Sequence, residues 1–135
     1  MLDANVIISA LLTPDGTPAR ALRAWLRGDL ELVVSRLLLE ELGRALSYPK
    51  LRDLIPPEDA AGVLTLLASA ARVSRDPDAL PGIRARDAGD DYLIALAEAE
   101  GAVLVSGDKH LLELAPDIPV YTPSGFLELV ERQPT

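Results

Sequence analysis

A helical stretch that closes at a glycine and runs straight into an uncharged, strand-length segment constrains this chain most. Residues 90–100 carry apolar side chains at helical spacing, Gly101 closes the stretch, and Ala102-Val-Leu-Val-Ser106 follows without a charge. Such a run is buried on both faces, which is how strands of a parallel sheet read. The alternation recurs along the chain. Thr17-Pro18 supplies a capping hydroxyl and a first-turn proline, Ala21, Leu22, Trp25 and Leu26 form a stripe, and Gly28 stops it. Glu31-Leu-Val-Val-Ser35 is again of strand length. A helix from Arg36 carries Leu38, Leu42, Ala45 and Leu46 and is expected to end at Pro49. Pro56-Pro57-Glu58 opens a helix over 60–71, with Leu64, Leu67 and Ala68 in a stripe that suits a core. A β-like stretch at 72–74 and a Pro- and Asp-rich loop at 76–89 follow. Past the buried strand come a short helix at 109–114, an edge strand at 118–121 tolerating Pro119, and a final helix at 123–131. Strands alternating with helices predict an α/β sandwich around a parallel sheet, as a single domain over 1–135. In such sheets the chemistry lies beyond the carboxyl ends of the strands.

The composition narrows that chemistry. At 135 residues, 49% apolar and 25% charged, the chain has the makeup of one ordinary globular domain. Thirteen Lys and Arg against 21 Asp and Glu leave a net charge of −8, which argues against holding nucleic acid by a basic surface. Aromatic residues, at 4%, are too few for a base-stacking platform. With no Cys and a single His, His110, disulfides, zinc knuckles, thiol catalysis and His-rich metal sites are excluded. No basic-then-apolar leader opens the sequence, and the uncharged stretch at 4–14 is too short to span a bilayer. The expectation is a cytoplasmic protein without a membrane segment, working with carboxylates, amides, hydroxyls and recruited ions.

Acidic residues fall at the predicted strand ends. Asp3 follows the first strand, Asp108 follows the strand ending at Ser106, Asp90 or Asp91 opens the helix before it, and Glu41 follows the second strand. Asp90 and Asp108 could simply cap helices, and Asn5 could be a turn residue. An acid at the end of a buried strand needs a partner to offset desolvation, which weakens the bland reading of Asp3. Glu40 stands four residues before Arg44 and is expected to pair with it. Glu41 lies three after Leu38 and four before Ala45, on the apolar side, where an acid is out of place. The same spacing test puts Asp90 in line with Ile94 and Ala97, and Asp91 with Ala95 and Glu98 toward the flank; Asp87 serves either reading. Met1-Leu2 is short for a strand. The expectation is a coding start several codons upstream, or an initiating valine codon read as Met1, and an intact mass matching this sequence would reject both.

Together these residues resemble a family. Leu-Asp-Ala-Asn-Val-Ile-Ile-Ser-Ala-Leu-Leu at 2–12 resembles the opening of PIN-domain proteins. Ser35 with Glu41-Leu42, Asp90-Asp-Tyr-Leu-Ile-Ala-Leu-Ala97 and Val105-Ser-Gly-Asp108 resemble its later acidic motifs, in order. The likeness covers nearly the whole chain and is nearest to the bacterial toxins of toxin–antitoxin pairs. It implies a three-layer α/β/α sandwich with helices on both faces and strands ordered 3-2-1-4-5, which brings Asp3 and Asp108 together at the switch point. It places Asp3, Glu41, Asp90 and Asp108 at the family's acidic positions, with Asn5, Ser106 and Asp91 in support. Ala4 stands where the family usually has Thr, so one hydrogen bond beside Asp3 is lost. The resemblance also implies an RNA substrate, a small antitoxin covering the acidic groove, and a homodimer.

Converging carboxylates repel by roughly 4 kcal/mol per pair at about 4 Å and an effective dielectric near 20. Such a cluster raises its own pKa values until a cation binds. Hard oxygen donors without His or Cys select Mg²⁺ or Mn²⁺. The expected chemistry is metal-assisted phosphodiester hydrolysis. Asp3, Asp90 and Asp108 would hold one ion, and Glu41 would complete a second site or act on the attacking water. Arg20, Arg23 and Arg27, at spacings of three and four, and Lys109 are candidate RNA contacts, against the alternative of a solvated helix face. His110 reads as a surface residue. A haloacid-dehalogenase reading fails because Asn5 stands where a second Asp is needed, and a receiver-domain reading fails at Tyr48-Pro49-Lys50. The remaining rival is a catalytically idle module of the same fold that acts only by binding an antitoxin or another protein.

Overall fold

The first helix, α1 (Ala4–Leu12), begins directly after Asp3, whose carboxylate accepts the Asn5 N–H as an N-cap. No such helix follows from periodicity, because Val6, Ile7, Ile8 and Ala10 are all buried and the segment carries no charged face. In this computed structural model, residues 1–132 are described, so the last three residues of the expected 1–135 span lie outside the described residues.

The expected helices are present with shifted bounds. They are α2 (Thr17–Leu26), α3 (Arg36–Leu46), α5 (Pro57–Ala70), α6 (Asp91–Glu100), α7 (Lys109–Leu112) and α8 (Pro123–Arg132). Helix α3 stops at Leu46, before Pro49, and Pro49 starts a further short helix, α4 (Pro49–Arg52), in keeping with proline's tolerance at a first turn. Gly101 closes α6 with a φ of +60°, a left-handed turn that glycine enters without strain. Of the α5 stripe, Leu67 is fully buried and Ala68 is exposed. The stripe packs on the core through Leu64 and Leu67, with Ala60 beside them, while Ala68 lies outside it. Glu40 pairs with Arg36 at 3.5 Å, not with Arg44 as expected, since α3 offers an arginine four residues to either side.

The strands are short: β1 (Val33–Val34), β2 (Arg72–Val73), β3 (Leu104–Val105) and β4 (Val120–Tyr121). All pairings are parallel, with Val33 opposite Arg72 in β1–β2 and Leu104 opposite Val120 in β3–β4. Leu2 bridges Val105 in parallel, with the Met1 amine donating to the Val103 carbonyl at 2.7 Å and the Asp3 N–H to the Val105 carbonyl at 3.0 Å. Three of the neighbour relations in the order 3-2-1-4-5 are therefore made. Between Met1–Leu2 and β1, no backbone hydrogen bond is present among the described residues. Packing side chains hold that join instead: Leu2, Val34, Ile94, Leu104 and Val105 all lie in the core. Helices flank the strands as in an α/β/α sandwich, α1 packing on α2 and α3, and α6 on β3.

Candidate active site

The carboxyl ends of Met1–Leu2 and β3 lie side by side, and this fixes Asp3 and Asp108. Asp3 is only 6% exposed and Ser106 is fully buried. The Ser106 hydroxyl donates to Asp3 Oδ2 at 2.9 Å and accepts the Asp108 N–H at 3.0 Å. One side chain thereby holds both acids in register. Asp108 also caps α7, its Oδ1 accepting the His110 N–H at 2.8 Å. The capping reading and the site reading of Asp108 are compatible, because the cap occupies one of two oxygens. His110 itself is solvent-facing, as expected.

Asp90 ends a 3-10 turn (Ala88–Asp90) and makes no side-chain cap bond at α6. Its acidity shows what surrounds it. Desolvation first, then the charges of Asp87, Asp3, Asp108 and Glu41, push its carboxyl up to about 6 from an ordinary 3.8. Asp3 is likewise raised, chiefly by burial, with Ser106 acting in the opposite direction and Asp108 adding to the rise. Glu41 reaches this neighbourhood from α3, where the Tyr92 hydroxyl donates to its Oε2. Tyr92 is a residue that spacing could not find, since the two partners stand 51 positions apart. Burial and then the Glu41 contact hold the Tyr92 phenol well above its usual range, so it stays a donor.

The structure thus brings Asp3, Glu41, Asp90 and Asp108 to one place. Among the described residues, no three of these acids stand close enough together to grip an ion as they are. The donor chemistry nevertheless fits a hard divalent cation: carboxylate oxygens with no thiol and no facing imidazole, and an Asp90 whose charge is resisted by its neighbours.

The supporting residues differ from expectation. Asp91 does not face the flank. It is 4% exposed and takes Arg84 through two nitrogens, at 2.7 and 2.6 Å, and the Ala85 N–H at 2.7 Å. These bonds hold its carboxyl below the usual range and pin the loop that delivers Asp90. Asp91 does line up with Ala95, as spacing says, but that side of α6 is itself covered, Ala95 being buried too. Asn5 supports Asp3 with its backbone N–H, at 3.4 Å, while its side chain is exposed. The arginine row is already engaged: Arg20 with Glu131, Arg23 with the Pro14 carbonyl, and Arg27 with Asp29. Lys109 is exposed beside Asp108.

A stability test follows from Asp90. A carboxyl whose folded pKa is raised binds its proton more tightly folded than unfolded, so folding stability falls as pH climbs from about 4 through about 6. Asp90→Asn removes that penalty. In chelator-treated buffer at pH 7 the variant is expected to melt higher than the parent, and the gap should narrow as pH falls through about 6 to below 3.8, where the carboxyl is protonated in both states. A variant that melts lower at pH 7 would mean the Asp90 charge is compensated within the chain.

Residues 1–110 match the PIN domain family. Domains of this family are generally nucleases and typically use divalent metal ions, so a nuclease-type function and nucleic-acid binding come with the match. An uncharacterized protein of Methanocaldococcus jannaschii is 28% identical over 142 residues, covering 98% of this chain and 91% of that protein. Among the described residues no helix is long and apolar enough to cross a membrane. With more than half of its length matched and the acidic residues gathered at the strand ends, the chain belongs to the PIN domain family.

Proposed function

We propose that this protein is a Mg²⁺- or Mn²⁺-dependent endoribonuclease and the toxin of a type II toxin–antitoxin pair. The observation that carries the reading is geometric: the buried Ser106 hydroxyl joins Asp3 Oδ2, at 2.9 Å, to the Asp108 N–H, at 3.0 Å, at the ends of adjacent strands, with Asp90 and Glu41 beside them. A protein that only needed those acids for solubility would not crowd them at the strand ends. Asp3, Asp90 and Asp108 would hold one ion, and Glu41 would complete a second ion's site or act on the attacking water. When bound, the metal polarises the scissile phosphate and supplies hydroxide at neutral pH.

The chain's own residues set the rest. Ser106 fixes Asp3 and the Asp108 turn together, so the two acids cannot drift apart independently. Tyr92 holds one oxygen of Glu41 and leaves the other for an ion or for the attacking water. The Arg84–Asp91 clamp keeps the 76–89 loop folded back, with Asp90 turned toward the cluster. Lys109, beside Asp108, is the basic group best placed to meet an RNA phosphate. The RNA substrate, the antitoxin, the homodimer, the cytoplasmic setting and the single-domain span over 1–135 belong to this proposal. The substrate, antitoxin and homodimer rest on the likeness of the motifs to bacterial toxins, and the setting and the span on the length and composition of the chain.

One observation favours the idle-module alternative: the acids converge without closing on a common point among the described residues. Metal titration decides between them. The expected result is a rise in melting temperature with Mn²⁺, accompanied by RNA cleavage that a chelator abolishes. Neither a shift nor cleavage in Mn²⁺ would leave the binding-only module standing.

A further inference from the structure

A cleft of about 420 Å³ opens beside the acidic cluster, lined by Asn5, Ser9, Pro18, Gly107, Asp108 and Pro123 among others. Its volume falls in the range of about 300–1,000 Å³ in which proteins hold small organic groups. Asp108 forms part of the wall, so an occupant lies directly against the proposed metal ligands.

The lining says what kind of occupant fits. It contains no Lys or Arg, which argues against a pocket for phosphate itself. Asn5 and Ser9 stand four apart on α1, and both are exposed. Among the described residues, neither side chain makes a hydrogen bond within the chain. A carboxamide presents a donor and an acceptor side by side, the pattern that pairs with the edge of a base. Pro18 and Pro123 are half-buried first-turn prolines of α2 and α8, rigid apolar rings on which a flat ring can pack. Gly107 has nothing within 4 Å of where a Cβ would stand, so a sugar can approach its backbone closely.

We propose that this cleft is a nucleobase subsite. It takes the base of a nucleotide adjoining the scissile phosphate and so sets the sequence preference of cleavage. The inference rests on the nuclease reading of the acidic cluster.

The test uses the full chain, Ser9→Leu, which fills the cleft from an exposed helix position, and Ser9→Glu, which repels a polyanion. The four nucleoside 5′-monophosphates are titrated while the Asn5 side-chain amide signals are followed by NMR. Separately, the cut ends from a random-sequence RNA pool are sequenced in Mn²⁺. At least one monophosphate is expected to shift the Asn5 amide, with binding weakened about tenfold or more in Ser9→Leu, the scale of losing one base contact. The base enrichment beside the cut should flatten in both variants, while the Mn²⁺-induced rise in melting temperature persists. Nucleotide binding at the cleft without any RNA cleavage would keep the subsite and reject the nuclease reading. RNA cleavage with a base preference unchanged in both variants would do the reverse. No nucleotide-induced shift in the cleft would overturn the proposal.

Discussion

Asp3→Asn is expected to lower metal-dependent RNA cleavage by roughly 10²–10³-fold, the scale on which removing one charge-stabilising group acts in an active site. The fold should survive the change. Asparagine caps helices as well as aspartate does, so α1 keeps its start. The amide oxygen can still accept the Ser106 hydroxyl where Asp3 Oδ2 did. The folded state also sheds a buried charge whose pKa burial had raised, so the metal-free variant should melt no lower than the parent at pH 7. Activity loss with retained melting temperature is the signature, read by a cleavage assay and a thermal melt on one preparation. Full activity in metal-replete buffer would reject the assignment of Asp3.

Ser106→Ala should cost both activity and stability. The hydroxyl is fully buried and serves two partners, Asp3 Oδ2 and the Asp108 N–H. Its removal leaves both without a bond, at about 1–3 kcal/mol for a buried polar group left unpaired. The loss should show as a lower denaturation midpoint at unchanged slope. Activity should drop by about 10–100-fold, the usual effect of deleting a group that orients a metal ligand. Ser106→Thr keeps the hydroxyl and is expected to recover most of the activity. If Thr recovered stability but no activity, the role of Ser106 in holding the acids would be wrong.

Much of this site was legible because its acids sit at strand ends, and strand ends announce themselves. Ala102-Val-Leu-Val-Ser106 reads as buried without any partner in view, and Asp108 follows it. Helix α1 was hard to read because its exposed stripe is narrow and uncharged: Asn5 and Ser9 alone mark its outer face, amid an otherwise apolar run. Asp91 was misplaced because the side of α6 it shares with Ala95 is buried, which an alanine at that spacing does not announce. Tyr92 and Arg84 lie outside periodic reasoning altogether. Each matters through one side-chain contact, with Glu41 on another helix or with Asp91 across a loop. The arginine row shows the limit of spacing, which revealed a shared face but not the exposed partners that its members meet.

The missing backbone ladder between Met1–Leu2 and β1 has a mechanical meaning. It divides the sheet into two parts held together by side-chain packing, with Glu41 carried on one side and Asp3, Asp90 and Asp108 on the other. A cation shared between them would span that seam and act as a removable cross-link. Emptying the site would then loosen the scaffold as well as stop the chemistry, and filling it would restore both together.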